Sequence, residues 1–320
     1  MAATSQPAER GHRISVVVPL HNEEASVATL VAQIAAVLEP EWDLEIILVD
    51  DGSSDSTWTR IQEAQRAEPR VRGLSFARNF GKEAAIVAGI QHADGDAVIV
   101  MDGDLQHPPS ILPDMIARWR EGAEVVAAVK RTRPGQSLPV RAGARAFNRT
   151  FSRLTGVDLT EATDLRLLSR PAVAALLELP ERTLFFRGMS TWIGFPAAQV
   201  EFDVAERSQG NSRYTLMSLG RFAVRSLTAF TSTPLHLVTV VGIGFAVLSV
   251  LLGVQTLIRW LQGAAVEGFT TVILLLLILG SAMLLGLGII GEYLARIHEE
   301  VKARPRYIIA DQTVDQGGER

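Results

Sequence analysis

The first 130 residues alternate between short apolar runs and segments of helical period, and this alternation limits the fold more than any other feature. The runs are "ISVVVPL" (14–20), "EIILVDD" (45–51), "VRGLSFA" (71–77), "DAVIVMD" (96–102) and "EVVAAVK" (124–130). Between them lie "HNEEASVATLVAQIAAVL", a helical stretch from Ser54 to Ala67, "KEAAIVAGIQHA" (82–93) and "PPSILPDMIARWREG". Strand–helix alternation implies a parallel sheet with helices on both faces. Near-continuous apolar strands agree with burial on both sides. The expected class is α/β.

In such sheets ligands bind at the carboxyl ends of the strands. Three runs end in polar groups: His21-Asn22-Glu23, Asp50-Asp51 and Asp102-Gly103-Asp104. All three ends are expected on one edge of the sheet. No G-x-G-x-x-G follows the first strand and no G-x-x-x-x-G-K-[ST] occurs, which argues against a dinucleotide enzyme and a P-loop ATPase. Residues i and i+2 leave an extended chain on one side, so Asp102 and Asp104 can approach one ion together, with Gly103 letting the backbone come close to a ligand. Oxygen ligands suit Mg²⁺ or Mn²⁺, and Mg²⁺ commonly shares its shell with substrate phosphates. A divalent cation holding a diphosphate is the expected occupant; the alternative is a turn with two solvated acids. Asp50 also reads as an acid of the turn and cap in "DDGSSDST", which leaves Asp51 as the expected ligand contact.

The rest of the chain points to a membrane. Residues 236–258 and 269–291 contain no Lys, Arg, Asp or Glu, and each is long enough to cross about 30 Å of hydrocarbon as a helix. No Lys or Arg follows Arg259 in the connection at 260–268, whereas Arg296, Lys302, Arg304 and Arg306 follow the second run. Lys and Arg mark the cytoplasmic side. The expectation is a two-helix transmembrane hairpin, residues 236–295, with the large N-terminal part and both termini cytoplasmic. Residues 214–235 place Leu216, Leu219, Phe222, Ala223, Leu227 and Phe230 at helical spacing with Arg221 and Arg225 among them, which reads as an amphipathic interfacial segment. Residues 1–13 are polar and small and do not read as a secretory signal. The expected organisation is a flexible stretch at 1–13, a cytosolic domain at 14–213, the interfacial segment, the two spans and a cytosolic tail at 296–320. The absence of cysteine excludes disulfides, zinc–thiolate sites and thiol nucleophiles, and a net charge of −4 gives no reason to expect nucleic acid.

"VVVPLHNEE", "LVDDGSSD", "FARNFGKEAA" and "MDGDLQHPP", in this order and spacing, resemble family 2 glycosyltransferases of the A-type, Rossmann-like fold. "TDLRLLSRPAV" (163–173), "RSQGNSRY" (207–214) and "GEYLARIHEEVKARPRYII" (291–309) narrow the resemblance to the polyisoprenyl-phosphate glycosyltransferases. It covers residues 14–309. The resemblance implies that Pro19, His21 and Glu23 line a nucleoside pocket with Val49 and Asp51 at its base, His21 standing where the family often has Tyr. It implies that Asp102 and Gly103 meet the nucleotide sugar, with Asp102, Asp104 and Gln106 at the metal and diphosphate. Lys130, Arg207 and Arg213 match positions that hold phosphates; Lys130 replaces a common Arg and loses its bidentate fork. Asp164 matches an acidic position near the acceptor. His107 replaces a frequent acid and has no assigned role.

The implied reaction moves a hexose from a nucleoside-diphosphate sugar, UDP-glucose first and GDP-mannose close behind, to a polyprenyl phosphate, with inversion. A phosphate monoester has its second pKa near 6, so the acceptor is largely ionised at neutral pH and needs little general-base help. Asp104 and Asp164 are the expected catalytic residues, Asp164 either as base or as an orienting group. Alternatives stand beside several assignments. Arg207 and Arg213 either grip substrate phosphate or bind anionic headgroups. Asp164 either serves the reaction or pairs with Arg166 on a strand edge. Asn79 and Lys82 are either site residues or ordinary loop and helix-start residues. Competing functions are a processive polysaccharide synthase, whose Q-x-x-R-W is matched only with altered spacing by Gln255, Arg259 and Trp260, and a non-catalytic membrane scaffold. Glycines in both apolar runs permit close helix packing and a homo-oligomer.

Overall fold

The computed structural model describes residues 12–39, 41–130, 162–180, 185–202, 233–262 and 269–313. They form two compact units. One holds the described residues from 12 to 202 together with 304–313; the other, which runs to Ala303, holds the two long helices.

The first unit is built on an eight-stranded sheet. Its early elements are β1 (Arg13–Leu20), α1 (Val27–Leu38), β2 (Asp43–Asp50), α2 (Thr57–Ala67), β3 (Val71–Phe76), α3 (Lys82–Gln91), β4 (Ala97–Val100), a 3₁₀ turn (Pro109–Ile111), α4 (Leu112–Arg120) and β5 (Val125–Lys130). They follow the alternation read from the sequence. Then come β6 (Ala162–Ser169), α5 (Arg170–Glu178), α6 (Phe186–Trp192) and β7 (Ala197–Phe202), and after the long helices β8 (Ile309–Gln312). The strand order is β7-β5-β6-β4-β1-β2-β3-β8. β1 pairs in parallel with both β2 and β4, and β2 with β3. β6 runs antiparallel between β4 and β5, and β8 runs antiparallel along β3. The sheet is therefore mostly parallel.

Side chains alternate between the two faces of each strand, and the core divides accordingly. Ile14, Val16 and Val18 of β1 pack on one side with Leu30 and Ile34 of α1, Ile61 of α2 and Met115 of α4. Val17 faces the other side with Ile47, Val49, the apolar residues of α3, Val173 of α5 and Phe186 of α6. α3 is buried along Ala84–Ile90 because it lies close on β1: a Cβ at Gly89 would sit 2.2 Å from Val17 Cγ1. α5 starts on a helix signal, Ser169, whose side chain accepts from the N–H of Ala172, with Pro171 in the first turn.

The second unit contains α7 (Thr233–Leu261) and α8 (Phe269–Val301). At about 1.5 Å per residue their 29 and 33 residues extend roughly 43 and 50 Å. Among the described residues one window, Ile278–Ala295 in α8, is long and apolar enough to cross a membrane; α7 carries a shorter apolar run, 240–255. The pair of spans read from the sequence is thus matched by one candidate span and one shorter run. At Gly286 an added Cβ would meet Val238 Cγ1 at 3.0 Å, whereas at Gly242, Gly244, Gly253, Gly280, Gly288 and Gly291 it would meet open space. α8 continues past residue 295 to Val301, and the stretch expected to be a tail returns as β8. Ser75 and Phe76 pair there with Asp311 and Ile309. Tyr307 stacks on Phe76 with ring centroids 5.0 Å apart. Trp58 Nε1 donates to Asp311, and the Gly73 N–H to Thr313 Oγ1. Of the interfacial segment read at 214–235, residues 214–232 lie outside the described residues, and the last three open α7.

Candidate active site

β4, β1 and β2 are neighbours in one parallel run, so their carboxyl ends meet as the sequence suggested. They open into a cavity of about 320 Å³. Pro19, His21 and Glu23 come to it from β1, Asp51 from β2, and Asp102, Gly103 and Asp104 from β4. Gly81 and Lys82 reach it from the start of α3.

Local geometry fixes the first two loops to each other. Asn22 adopts a left-handed φ of 56°, which Asn tolerates, and its Oδ1 accepts from the Ser54 N–H at 2.8 Å. The Asp51 carboxylate accepts from the N–H groups of Phe80 (2.7 Å) and Gly81 (2.9 Å). It thereby pins the loop that leads into α3. Burial raises the Asp51 pKa from its ordinary value, against the pull of those N–H donors. Asp50 is structural: it accepts from the Ser53 N–H and the Ser75 hydroxyl. His21 Nδ1 lies 3.0 Å from the Asp51 carbonyl oxygen, and Asn79 Nδ2 lies 3.2 Å from its Nε2. Burial, with Asp104 nearby, raises the Glu23 pKa.

Beyond β4 the backbone turns sharply. Leu105 has φ 58°, a strained value for a bulky side chain. The turn brings the Gln106 N–H to Asp104 Oδ1 at 3.1 Å. It also brings His107 under Asp102, with Nδ1 3.9 Å from Oδ2. One ligand atom each from Asp102, Asp104 and His107 lie within 4.8 Å of one another. Two carboxylates and an imidazole suit a divalent ion of the Mn²⁺ kind, and the carboxylate pair alone suits Mg²⁺. Gln106 joins this group through its backbone. Gly103 has a second reason to be glycine: a Cβ there would fall 2.3 Å from Leu20 Cδ2, so the turn packs directly on the end of β1.

A charged array flanks this turn. Lys82 Nζ lies 2.5 Å from Asp102 Oδ1 and 2.7 Å from Asp164 Oδ2. Arg187, from α6, donates to Asp164 Oδ1 through its η-nitrogen (2.8 Å) and Nε (3.1 Å). Burial pushes the Asp164 pKa up, but the Arg187 and Lys82 cations outweigh it and hold the carboxyl below its ordinary value. Lys82 is likewise raised, its two carboxylate partners outweighing desolvation. Glu83 accepts from the Phe186 N–H at 2.7 Å, and its pKa rises to about 7 through burial, with Asp164 adding to the shift. The pairing of Asp164 with Arg166 is not formed. Arg166 donates instead to Ser190 and Thr191, and burial lowers its pKa to about 10.

Of the residues singled out in the sequence, Pro19, His21, Glu23, Asp51, Asp102, Gly103 and Asp104 are brought together, with Asp164 linked to them through Lys82. Val49 is placed differently. It pairs with Pro19 across β1 and β2 but is fully buried among Val17, Leu74 and the α3 side chains, and is not among the residues that line the cavity. Lys130 ends β5, paired with Phe202. Arg207 and Arg213 lie outside the described residues. Sequence reading left His107 and Lys82 without roles and did not single out Arg187. The one available signal was "NFGKE", where a cation opens a helix at which a carboxylate is the usual choice.

Residues 15–175 match the family described as glycosyl transferase family 2. A bactoprenol glucosyl transferase of Shigella phage SfV is 37% identical over 303 residues, covering 94% of this chain and 99% of that protein. One from Shigella phage SfII is 38% identical over 300 residues, covering 93% and 97%. An uncharacterised glycosyltransferase of Synechocystis is 36% identical over 301 residues, covering 93% and 95%. Among solved structures, glucosyl-3-phosphoglycerate synthase from Mycobacterium tuberculosis, in complex with Mn²⁺, UDP-glucose and phosphoglyceric acid, is similar with a TM-score of 0.51. It is 24% identical and covers 70% of this chain and 79% of that one. That similarity is one of fold.

Proposed function

Because the chain belongs to glycosyl transferase family 2, we propose that it transfers a hexose from a nucleoside-diphosphate sugar, UDP-glucose first among them, to the phosphate of a polyprenyl phosphate in a membrane. The observation that carries this reading is the similarity to bactoprenol glucosyl transferases along nearly the whole of both chains. It therefore extends beyond the catalytic sheet to the long helices. The apolar window Ile278–Ala295 and the charge-free run 236–258 agree with an acceptor that resides in lipid, and we read the two helices as spans with the sheet on the cytoplasmic side.

In this reading the cavity at the ends of β1, β2 and β4 takes the donor. His21 offers a ring to the base, and Asp51 holds the loop of Phe80 and Gly81 that bounds the pocket. Asp102 and Asp104 hold a divalent cation, Mg²⁺ or Mn²⁺, with Gln106 or His107 beside them. Such an ion offsets charge on the leaving diphosphate as a Lewis acid. The acceptor phosphate is already an anion, so the chain must supply cations rather than a strong base. Lys130, Arg207 and Arg213 serve phosphates. Asp164, kept ionised by Arg187 and Lys82, orients the acceptor side. One phosphate oxygen attacks the anomeric carbon, the bond to the diphosphate breaks, and the configuration inverts.

The test is transfer of radiolabelled glucose from UDP-glucose to polyprenyl phosphate by the purified chain in detergent. Asp104→Ala and excess chelator are each expected to abolish lipid-linked product. Full activity in excess chelator refutes the metal role, and product confined to long polymer refutes the acceptor.

A further inference from the structure

Lys82 is at an unusual place for a cation. It is the first residue of α3, where the helix dipole favours negative charge. Helix formation therefore does not account for it, but its two carboxylate contacts do. They come from separate strands: Asp102 follows β4, and Asp164 lies within the antiparallel β6. The ammonium borders the cavity and its side chain is 41% exposed, so an incoming ligand can reach it.

The two contacts are not equivalent. Asp164 has a second cation, since Arg187 takes its Oδ1 while Lys82 takes Oδ2. Asp102 belongs to the group that can hold a metal. A divalent ion on Asp102 and an ammonium 2.5 Å from the same carboxylate repel each other. When both compete, the ion carries the higher charge, and Lys82 keeps a place on Asp164. An ammonium has three N–H donors; one goes to Asp164, and removing the ion pair with Asp102 frees the others to turn to a new acceptor.

We propose that Lys82 is a resident counter-cation shared by Asp102 and Asp164, which a divalent metal displaces from Asp102 and which then offers its freed N–H to a phosphate oxygen of a substrate. The proposal rests on the functional reading above only for its last step. Phosphate is the shared chemistry of the donor diphosphate and the acceptor monoester. In either case Lys82 links the arrival of metal at one carboxylate to the charge balance at the other, as a positioning residue.

The experiment titrates the full chain in detergent with Mn²⁺ alone, reading free Mn²⁺ by electron paramagnetic resonance. Lys82→Met removes the charge and keeps much of the side-chain volume; Lys82→Arg keeps the charge. Lys82→Met is expected to bind Mn²⁺ roughly twofold to fivefold more tightly than the unmodified chain, in keeping with a partly exposed ion pair. Lys82→Arg should stay near the unmodified value, and melting curves confirm that both variants fold. Unchanged or weaker Mn²⁺ binding by Lys82→Met overturns the proposal. Calorimetric binding of UDP and of a short-chain prenyl phosphate, each with Mn²⁺ present, then identifies the phosphate. A loss of about tenfold for one of them in Lys82→Met names the source, and no loss for either overturns the second step. Failure of the unmodified chain to transfer glucose would instead sink the functional reading, and the Mn²⁺ result would stand apart from it.

Discussion

Glu83→Gln gives the sharpest test of how the site is held together. Glu83 is half-buried, and its carboxyl accepts the Phe186 N–H at 2.7 Å and has Asp164 for a like-charged neighbour. Its pKa rises from 4.5 to about 7, with Lys82 and Arg187 offsetting part of the rise. A carboxyl raised by folding favours its protonated form in the native state. Its contribution to stability is complete below about pH 4.5 and is lost as the pH climbs through about 7. At about 1.4 kcal/mol per pH unit, that loss approaches roughly 3 kcal/mol by pH 8. Gln keeps an oxygen for the Phe186 N–H and cannot ionise. The variant and the parent should therefore melt alike near pH 4.5 and diverge as the pH rises. At about 2–4 °C per kcal/mol for a domain of this size, the variant should melt roughly 6–12 °C higher at pH 8. The assay is thermal denaturation of both proteins in detergent at several values between pH 4.5 and 8, with activity followed over the same range. Parallel melting curves across that range would refute the argument, because they would mean that Glu83 titrates alike in the folded and unfolded chain.

Three further expectations concern other parts of the molecule. Arg207→Ala should lower transfer about ten- to hundredfold if the residue grips phosphate, at roughly 1.5–3 kcal/mol for a charge-assisted contact; Arg207→Ala and Arg221→Ala both near full activity without anionic lipid would make Arg207 a membrane contact only. A reporter inserted at Gly263 should appear outside and one after Arg320 inside, and a cytoplasmic signal from Gly263 would remove the hairpin. Glu45, 1% exposed, is held by Ser15, Arg72 and the Asp94 N–H; Glu45→Ala should cost about 3 kcal/mol in denaturant unfolding. Because its donors outweigh burial and lower its pKa, that contribution should be present above about pH 4.5 and fade as the pH falls below it.

The parts of the fold that were legible in the sequence are those whose cause is local. β1 to β5 are buried on both faces, so each had to be a short apolar run, and the polar residues that end three of them could only collect at one edge. β6 was not legible. "ATDLRLLS" mixes charge with apolar residues, and its charges are satisfied by Lys82, Arg187, Ser190 and Thr191, which come from α3 and α6. β8 is four residues long and mostly exposed; its strand character comes from β3 beside it, not from its own composition. The same holds in the site. Asp102-Gly103-Asp104 announces itself by spacing, whereas the use of Lys82 depends on two strands that the sequence does not show to be near each other. The tight packing of Gly103 on Leu20 was equally invisible, because a glycine beside a ligand and a glycine beside a leucine read alike.

The position of β8 in the chain has a consequence for how the protein is made. The strand that covers β3 is synthesised after both long helices, so β3 leaves the ribosome with its outer edge bare. An uncovered strand edge invites pairing with other chains. The Gly73 N–H meets Thr313 across a separation of 240 residues, and the Ala77 N–H meets the Ile308 carbonyl oxygen just before the Phe80–Gly81 loop that Asp51 holds. The sheet is therefore closed last, by residues that emerge only once the apolar helices have been made and, on our reading, delivered to the bilayer. A nascent chain that stalls before residue 304 would hold the described residues that line the cavity at the ends of β1, β2 and β4, yet lack the strand that seals its scaffold. Maturation of the sheet is in this way tied to completion of the two long helices.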